Sequence, residues 1–426
     1  MQPSAPLPAS GEAAPSYQGA FALVTALFFM MGSITSLNDV LIPHLKAVYT
    51  LNYVQAMLVQ FCFFGAYFIV SMPAGMLIRR IGYQRGAASG FMLAAVGALL
   101  FYPAAGSGYS LFLFAFFVLA AGITILQVAA NPYVTVLGDA RTASSRLTLT
   151  QAFNSLGTTI APAIGGMLIL SNAAPSAADL AKLSAVEQAA RRVAEASSVQ
   201  MPYLGLAVVL VLLSLLFAWS RMPQISHADE EGGAGKASLL GHRRLVLGTG
   251  AIFLYVGAEV SIGSFLISYL GESYVAALPA AAAAHYVSYY WGGAMIGRFI
   301  GFVAMRRISP GKALAFNAGL AMLLVLCAML GQGQVAMWAI IAVGLCNSIM
   351  FPTIFSLSVD GMGKLTGQAS GMLCMAIVGG AIVPFAQGWL ADAYGLRYSY
   401  VLPVLCYAYI CYFGFKYAGL YQKRDH

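Results

Sequence analysis

Long apolar runs alternate along this chain with short stretches that are charged or rich in glycine and proline. A helix crosses a lipid bilayer with about 20 mostly apolar residues. Because the runs are of about that length, the pattern predicts twelve membrane-spanning helices. Their predicted limits are 20–47, 54–79, 86–104, 109–138, 146–171, 201–220, 245–270, 285–306, 311–331, 335–359, 367–391 and 398–420.

The two halves of the chain resemble each other. The segment ANPYVTVLG at 130–138 is similar to MFPTIFSLS at 350–358, which places Pro132 and Pro352 220 positions apart. The basic turns RRIGYQRG and RRISPGK both follow the second span of their half. Such repeats are typical of carriers that expose one site alternately to the two sides of a membrane. The predicted fold class is therefore an all-α membrane protein with twelve transmembrane helices in two pseudo-symmetric six-helix bundles.

Polar stretches divide the chain into five predicted parts. They are an N-terminal tail at 1–19, a six-helix bundle at 20–221, a linker at 222–244, a second six-helix bundle at 245–420 and a C-terminal tail at 421–426. The linker is acidic and rich in glycine, as expected of a solvated connection. A further polar stretch at 175–198 predicts a short amphipathic helix outside the membrane.

Composition indicates that the chain lies in a membrane, and the distribution of charge indicates its orientation there. Apolar residues make up 60% of it and charged residues only 8%, whereas a soluble domain carries about a quarter charged residues. The loops after even-numbered spans, with the C-terminal tail, hold fifteen Lys and Arg, and the opposite loops hold five. Because positive charge stays on the cytoplasmic side, both termini are predicted to be cytoplasmic in a multi-pass protein of the bacterial inner membrane.

Several protein classes are excluded by the same survey. The N-terminal 19 residues lack the basic start and apolar core of a secretory signal. The net charge of +8 follows from the loop asymmetry, so no nucleic-acid partner is expected. The six cysteines lie inside apolar runs without metal-ligand spacing, so no disulfide framework, metal site or cofactor is expected. No histidine cluster typical of an intramembrane enzyme and no selectivity loop typical of a channel is visible.

Two acidic residues fall inside predicted spans, Asp39 in the first and Glu259 in the seventh. A charge at the bilayer centre costs at least about 2.5 kcal/mol, so it usually serves a function. Asp39 follows Asn38 among apolar neighbours, where burial favours the protonated form of a carboxyl group. It is predicted to couple transport to a cation, and Glu259 to hold substrate or to share in coupling. The alternatives are a structural hydrogen bond for Asp39 and a helix-locking contact for Glu259.

Carboxamides are the next candidates, because an amide both donates and accepts hydrogen bonds, as sugar hydroxyls do. Gln127 and Asn131 are four residues apart and share a helical face, and Gln151 and Asn154 do the same at a spacing of three. The alternative is helix–helix contact, worth about 0.6 kcal/mol for each bond. The full predicted set of amides that bind substrate is Asn38, Gln127, Asn131, Gln151, Asn154 and Asn347.

Aromatic rings complete a sugar site, because the apolar face of a pyranose packs on them. Most aromatic side chains in such a chain face lipid or the membrane interfaces. The predicted site includes Phe28, Tyr290 and Trp291, with Tyr133 and Phe351 as further candidates. Arg298 is the one clear basic residue within a span, and a structural or gating role is favoured for it over contact with substrate.

Several motifs together resemble one known family. They are NDVLIPHLK at 38–46, FFGAYFIVSMPAGMLIRRIGYQRG at 63–86, LQVAANPYVTVLG at 126–138, TQAFNSLGTTIAP at 150–162, YVGAEVSIGSFL at 255–266 and FPTIFSLS at 351–358. In these motifs the chain resembles the fucose–galactose–glucose:proton symporter family of the major facilitator superfamily. The resemblance covers nearly the whole of both bundles. It implies the twelve-helix major facilitator superfamily fold and monosaccharide uptake driven by an ion gradient.

The resemblance also implies roles for particular residues. Fucose-transporting members carry an essential Asp in an Asn-Asp motif, which falls on Asp39, and a Gln and an Asn that fall on Gln151 and Asn154. They have a Glu where this chain has Gln127, which cannot titrate. That departure is similar to the glucose/galactose branch, some members of which depend on sodium.

The expected protein is a secondary active symporter of a hexose such as glucose or galactose, coupled to a proton. Sodium-coupled hexose symport and L-fucose:proton symport remain open alternatives. Efflux of apolar drugs is a weaker one, because a drug cavity would hold few amides. The expected partners are a monosaccharide, a proton or sodium ion and the lipid bilayer, and the expected carrier is a monomer that is not an enzyme.

Overall fold

The computed structural model describes residues 17–48, 53–169, 199–220, 222–223 and 239–420, and every regular element in those ranges is helical. The first half contains α1 (Tyr17–Val48), α2 (Tyr53–Ser107), α3 (Tyr109–Val136), α4 (Ala143–Ile169) and α5 (Gln200–Trp219). The second half contains α6 (Arg243–Gly271), α7 (Ala280–Ala304), α8 (Pro310–Leu330), α9 (Gly333–Asn347), α10 (Met350–Val359), α11 (Thr366–Met375), α12 (Gly379–Tyr394), α13 (Leu396–Ser399) and α14 (Val401–Lys416).

These helices account for all twelve predicted spans. The 55-residue α2 contains the second and third spans, which meet at Gly82. Gly82 has a φ of 83°, a conformation that glycine adopts without steric cost, so the chain reverses within the predicted basic turn. Among the described residues, nine stretches are long and apolar enough to cross a membrane, and the one at Phe61–Ser107 has 47 residues, enough to cross twice. The helices α4 and α7 are also long enough to span, at 27 and 25 residues.

The tenth predicted span is interrupted, although the sequence pattern predicts one continuous helix at 335–359. Helix α9 ends at Asn347 and α10 begins at Met350. Pro352 explains the break, because proline has no N–H to donate to the carbonyl four residues earlier and its ring clashes with that carbonyl. The carbonyl of Ser348 is left free, and it accepts a bond from Arg298 Nε at 3.4 Å.

The eleventh and twelfth spans are also divided. A short 3₁₀ segment at Ala376–Val378 joins α11 to α12, and α13 precedes α14. The eighth span begins earlier than predicted, at Ala280, because Pro279 starts it and a run of alanines favours the helix. The predicted amphipathic helix at 175–198, most of the linker and most of both tails lie outside the described residues, and the five-part division of the chain stays a prediction.

The loops rich in Lys and Arg meet at one end of the molecule, called the basic end below. Close contacts bring the end of the first arm of α2 to the start of α11: a Cβ added at Gly75 would lie 2.7 Å from the carbonyl oxygen of Gly367. At the same end the guanidinium of Arg244, at the start of α6, pairs with the carboxylate of Asp360 after α10 at 3.4 Å. Asp360 therefore lies at a helix end.

The two halves pack tightly on each other near the basic end. The hydroxyls of Ser144 and Ser356 lie 2.6 Å apart, which joins the start of α4 to α10. The hydroxyl of Ser145 donates to the carbonyl of Phe302 on α7 at 2.7 Å. Where Gly371 of α11 meets Ser71 of α2, an added Cβ would lie 2.6 Å from the Ser71 carbonyl oxygen. The basic end is therefore closed in this conformation.

The outer surface carries large exposed apolar side chains. Helix α5 shows the pattern clearly, since Leu212 is 60% exposed and Trp219 is 81% exposed. Contiguous apolar surface of this kind is rare on soluble monomers. Its presence on long helices agrees with a surface that faces lipid.

Candidate functional site

The Asn38–Asp39 pair predicted on the first span lies in the second half of α1. Asn38 and Asp39 belong to that helix, but their side chains lie outside the described part of the structure. Their roles in substrate binding and cation coupling therefore stay predictions. Towards the N-terminus of the same helix, Phe28 is fully buried.

Asn154 links α1 to α4. Its side-chain Nδ2 donates to the backbone carbonyl of Phe28 at 2.9 Å. The helices approach closely here, because a Cβ added at Gly32 would lie 2.0 Å from the Asn154 carbonyl oxygen. Asn154 is only partly buried, so part of its surface remains accessible. The residue can therefore hold the helix that carries Asp39 and contact a ligand at the same time.

Glu259 is held from two sides on α6. The hydroxyl of Tyr255, one turn earlier, donates to Glu259 Oε1 at 2.8 Å. The hydroxyl of Tyr290, on α7, donates to the backbone carbonyl of Glu259 at 3.2 Å. Glu259 keeps some surface accessibility, and Arg298 interacts with its carboxylate electrostatically. A carboxylate that is fixed yet partly accessible can accept a hydrogen bond from a ligand.

Asn347 lies at the break between α9 and α10 and is fully buried. Its Oδ1 accepts from the hydroxyl of Tyr407 on α14 at 2.8 Å, and its Nδ2 donates to the hydroxyl of Tyr290 at 2.8 Å. The hydroxyl of Tyr255 lies 3.2 Å from its backbone carbonyl oxygen. These four residues, Tyr255, Tyr290, Asn347 and Tyr407, are called the Asn347 clamp. The clamp joins four helices of the second half around Glu259.

Arg298 crosses between the two halves. From α7 its guanidinium contacts Ser155 Oγ and the backbone carbonyl of Gln151, both on α4. Within the second half, Arg298 Nε donates to the carbonyl of Ser348, which Pro352 leaves free. A guanidinium suits this position because it offers five donors in a fixed plane. Arg298 therefore joins the break in the second half to the helix that carries Asn154.

The other predicted amides in the described residues, Gln127, Asn131 and Gln151, lie on helices of the first half. Gln151 is buried, and its backbone carbonyl accepts the contact from Arg298. Asn131 is fully buried on α3, and neither atom of its amide has a hydrogen bond of standard geometry within the described residues. The Cys374 thiol of α11 lies beside it. Gln127 is one turn away on the same face, and its buried Oε1 likewise has no hydrogen-bond partner among the residues that the structure describes.

A second backbone carbonyl that a proline leaves free lies where α3 meets α11. Pro132 of α3 cannot donate to the carbonyl of Val128, four residues earlier. That carbonyl accepts instead from Ser370 Oγ of α11 at 2.9 Å. The matched prolines Pro132 and Pro352 thus have the same physical effect, since each frees a carbonyl that a side chain from another helix then satisfies.

The predicted aromatic residues differ in exposure. Phe28 and Tyr290 are completely buried, so neither ring lines an open space in this conformation. Trp291 is 44% exposed, and its indole ring lies against Gly263 and the Tyr290 ring. Their contact with substrate stays a prediction. The structure thus brings Glu259, Asn347 and Tyr290 together, and it places Gln151 and Asn154 beside Arg298 and α1.

Sequence reasoning missed two members of this arrangement. Tyr255 precedes Glu259 by four residues, a spacing that places both on one helical face and gives a signal that could have been used. Tyr407 gives no such signal, because it lies 60 positions from Asn347 along the chain. Within the described residues, no three His, Cys, Asp or Glu side chains gather as a metal would need.

Comparisons with known proteins show the family to which the chain belongs. The sequence profile of the Major Facilitator Superfamily matches residues 22–377. A glucose/galactose transporter of Brucella abortus biovar 1 (strain 9-941) is 54% identical over 412 residues, which cover 96% of each chain. The L-fucose-proton symporter of Escherichia coli (strain K12) is 38% identical over 404 residues, 93% of this chain and 92% of its own.

A solved structure is similar throughout. The crystal structure of a Major Facilitator Superfamily transporter in the outward conformation superposes with a TM-score of 0.87. It is 36% identical in sequence, and the match covers 94% of this chain and 99% of that chain.

Proposed function

Because the chain belongs to the Major Facilitator Superfamily, in the group of glucose/galactose transporters and L-fucose-proton symporters, we propose that it is a proton-coupled hexose symporter. The family and the helical fold predicted from the sequence are confirmed. The observation that carries the proposal is the 54% identity with a glucose/galactose transporter over 96% of both chains. Glucose and galactose are the proposed substrates, since the fucose symporter is less similar at 38%.

The sugar is proposed to bind between the two halves. In the first half Asn38, Gln127, Asn131, Gln151 and Asn154 are the proposed ligands. In the second half the accessible carboxylate of Glu259 is the proposed acceptor. Polar side chains in apolar helices support this assignment, because a buried polar group without a partner costs about 1–3 kcal/mol, and sugar hydroxyls would supply partners.

The coupling cation is proposed to bind at Asp39 on α1 and to be a proton. The fucose relative from Escherichia coli is an L-fucose-proton symporter, which supports the choice of ion. Sodium remains the alternative. Asn154 ties α1 to α4, and Arg298 ties α4 to the second half, so a continuous set of contacts connects the helix of Asp39 with the clamp around Glu259.

Transport is proposed to proceed by alternating access. The basic end is closed by contacts between the two halves, and the charge rule places that end in the cytoplasm. With that orientation this conformation is outward-facing, as is the solved transporter with a TM-score of 0.87. The carrier is proposed to work as a monomer in the bacterial inner membrane, with both termini cytoplasmic and without enzymatic chemistry.

Counterflow in proteoliposomes tests the substrate assignment. Purified full-length protein is reconstituted into vesicles loaded with glucose, galactose, mannose or fucose, and uptake of radiolabelled galactose is followed with and without sodium. We expect glucose and galactose to drive strong counterflow and fucose little, with no requirement for sodium. Counterflow with none of these sugars would contradict hexose transport, and a strict sodium requirement would contradict proton coupling.

Replacing Asn154 by alanine is expected to raise the half-saturating galactose concentration about ten-fold. The variant loses a proposed sugar ligand together with the bond to the Phe28 carbonyl, and a single hydrogen bond contributes about 0.5–1.5 kcal/mol. Galactose counterflow at varied concentration measures the effect. The matched control is Asn317→Ala on α8, which should transport like the wild type because, among the described residues, the Asn317 side chain bonds the Ala313 carbonyl of its own helix. An unchanged half-saturating concentration in Asn154→Ala would remove that residue from the site.

A further inference from the structure

We propose that Asn347 is a positioning residue rather than a sugar ligand, and that through Tyr255 its clamp aims one oxygen of Glu259 at a hydroxyl of the bound hexose. This inference rests on the proposed function and deepens it, because it assigns the sugar contact of the second half to one oriented carboxylate. It also revises the role predicted for Asn347 from the sequence.

Burial argues against Asn347 as a ligand. The side chain is 0% exposed, and each polar atom of its amide already makes one hydrogen bond at 2.8 Å, Oδ1 with Tyr407 and Nδ2 with Tyr290. Because no part of the amide is accessible, a sugar hydroxyl could reach it only by displacing a neighbouring side chain such as one of these tyrosines. Because the tyrosine rings are themselves buried, such a displacement would disturb the packing of three helices.

The clamp determines where the carboxylate of Glu259 lies. Tyr290 holds the backbone of Glu259 and Tyr255 holds its Oε1, and both tyrosines also contact Asn347. Oε2 receives no hydrogen bond from the residues that the structure describes. Since Glu259 keeps some accessible surface, Oε2 is the atom left for a ligand.

Distance decides how the single hydroxyl hydrogen of Tyr255 is shared. It can reach Glu259 Oε1 at 2.8 Å or the Asn347 carbonyl oxygen at 3.2 Å. The shorter contact makes Glu259 Oε1 the main acceptor and the Asn347 carbonyl oxygen the weaker one. The carboxylate is then fixed in one rotamer before sugar arrives, which lowers the entropic cost of binding.

A double-mutant cycle separates positioning from a general effect on folding. Tyr255→Phe, Glu259→Gln and the double variant are reconstituted, and galactose counterflow gives the half-saturating concentration and the maximal rate of each. We expect Tyr255→Phe to raise the half-saturating concentration about ten-fold with the maximal rate within about two-fold, and Glu259→Gln to raise it at least as much. The double variant should match Glu259→Gln alone, because Tyr255 acts through that carboxylate.

Tyr269→Phe is the matched control. Tyr269 lies on the same helix, is equally buried, and donates to the Ala328 carbonyl at 2.6 Å, away from Glu259. Its loss should leave the half-saturating concentration unchanged. If Tyr255→Phe does not fold, Asn347→Asp replaces it in the cycle, because an aspartate keeps the acceptor for Tyr407 and loses the donor to Tyr290.

Two results would overturn the proposal. One is an unchanged half-saturating concentration in the clamp variant, and the other is a double variant whose effect equals the product of the two single effects. If the wild type is active, either result rejects the clamp proposal and leaves the proposed function standing. A wild type that shows no hexose counterflow instead rejects the proposed function.

Discussion

Replacing Asp39 by asparagine is expected to abolish accumulation of galactose against its gradient while sparing exchange of galactose across the membrane. An amide has the shape of the carboxyl group but cannot bind and release a proton, so the gradient no longer drives the cycle. A membrane potential of 100 mV contributes about 2.3 kcal/mol for each charge that crosses, or about fifty-fold in concentration. The variant should therefore only equilibrate the sugar.

Two assays on the same vesicles check this expectation. Uptake driven by an imposed proton gradient should fall to the equilibrium level in Asp39→Asn, while counterflow stays within a few-fold of the wild type. Asp392→Asn is the matched control, because Asp392 is an exposed acid in the last turn of α12 and should have no effect. Accumulation at the wild-type level in Asp39→Asn would show that another group couples the cation.

Replacing Gly75 by leucine is expected to hold the basic end open and to reduce gradient-driven uptake at least about five-fold. A Cβ at this position would lie 2.7 Å from the Gly367 carbonyl oxygen and 3.1 Å from Gln368 Cα, both backbone atoms that cannot rotate away. Overpacking of this kind costs about 1–3 kcal/mol, and it destabilises only the conformation in which α2 and α11 touch. A cost of that size shifts the population about five-fold to 150-fold towards the open conformation.

The thiol of Cys374 reports the opening. It is fully buried between α3 and α11, so a maleimide should label it slowly in a reference variant whose other five cysteines are replaced by serine. Gly75→Leu should label several-fold faster from the basic end. Gly205→Leu is the matched control, since Gly205 is exposed on α5 with nothing within 4 Å of an added Cβ. Slow labelling together with normal uptake in Gly75→Leu would mean that α2 and α11 need not meet for transport.

The helices could be predicted because their signal is local. Each apolar run has the length of a span, and Gly82, within a predicted turn, has the positive φ that reverses the chain. The break after Asn347 is also local in origin, since Pro352 frees the Ser348 carbonyl. Hydropathy alone does not predict this break, because it does not show which backbone hydrogen bonds a proline removes.

The partners of the polar residues could not be predicted in the same way. Asn154 and Asn347 were both identified as polar residues inside spans, yet the first bonds the Phe28 carbonyl and the second three tyrosines. Nothing in the spacing distinguishes them, because Tyr407 and Phe28 reach their amides through the packing of distant helices. Sequence pattern therefore indicates which groups need partners, and packing decides which partners they find.

The repeat in the sequence has a physical meaning in the structure. Pro132 and Pro352 each free a carbonyl, and Ser370 and Arg298 satisfy these two carbonyls. Ser370 bonds directly across the interface between the halves, while Arg298 also reaches α4 of the first half. Each half thus offers a backbone acceptor at a place where contacts between the halves must form and break during transport.

Galactose uptake by the wild-type protein under an imposed proton gradient tests the central claim most directly. Full-length protein in proteoliposomes receives an acidic exterior, with sodium absent, and internal radiolabelled galactose is compared with the external concentration. The account predicts accumulation above the external concentration that a protonophore abolishes and that a sodium gradient alone does not produce. Equal concentrations on both sides under the proton gradient, or accumulation only with sodium, would contradict it.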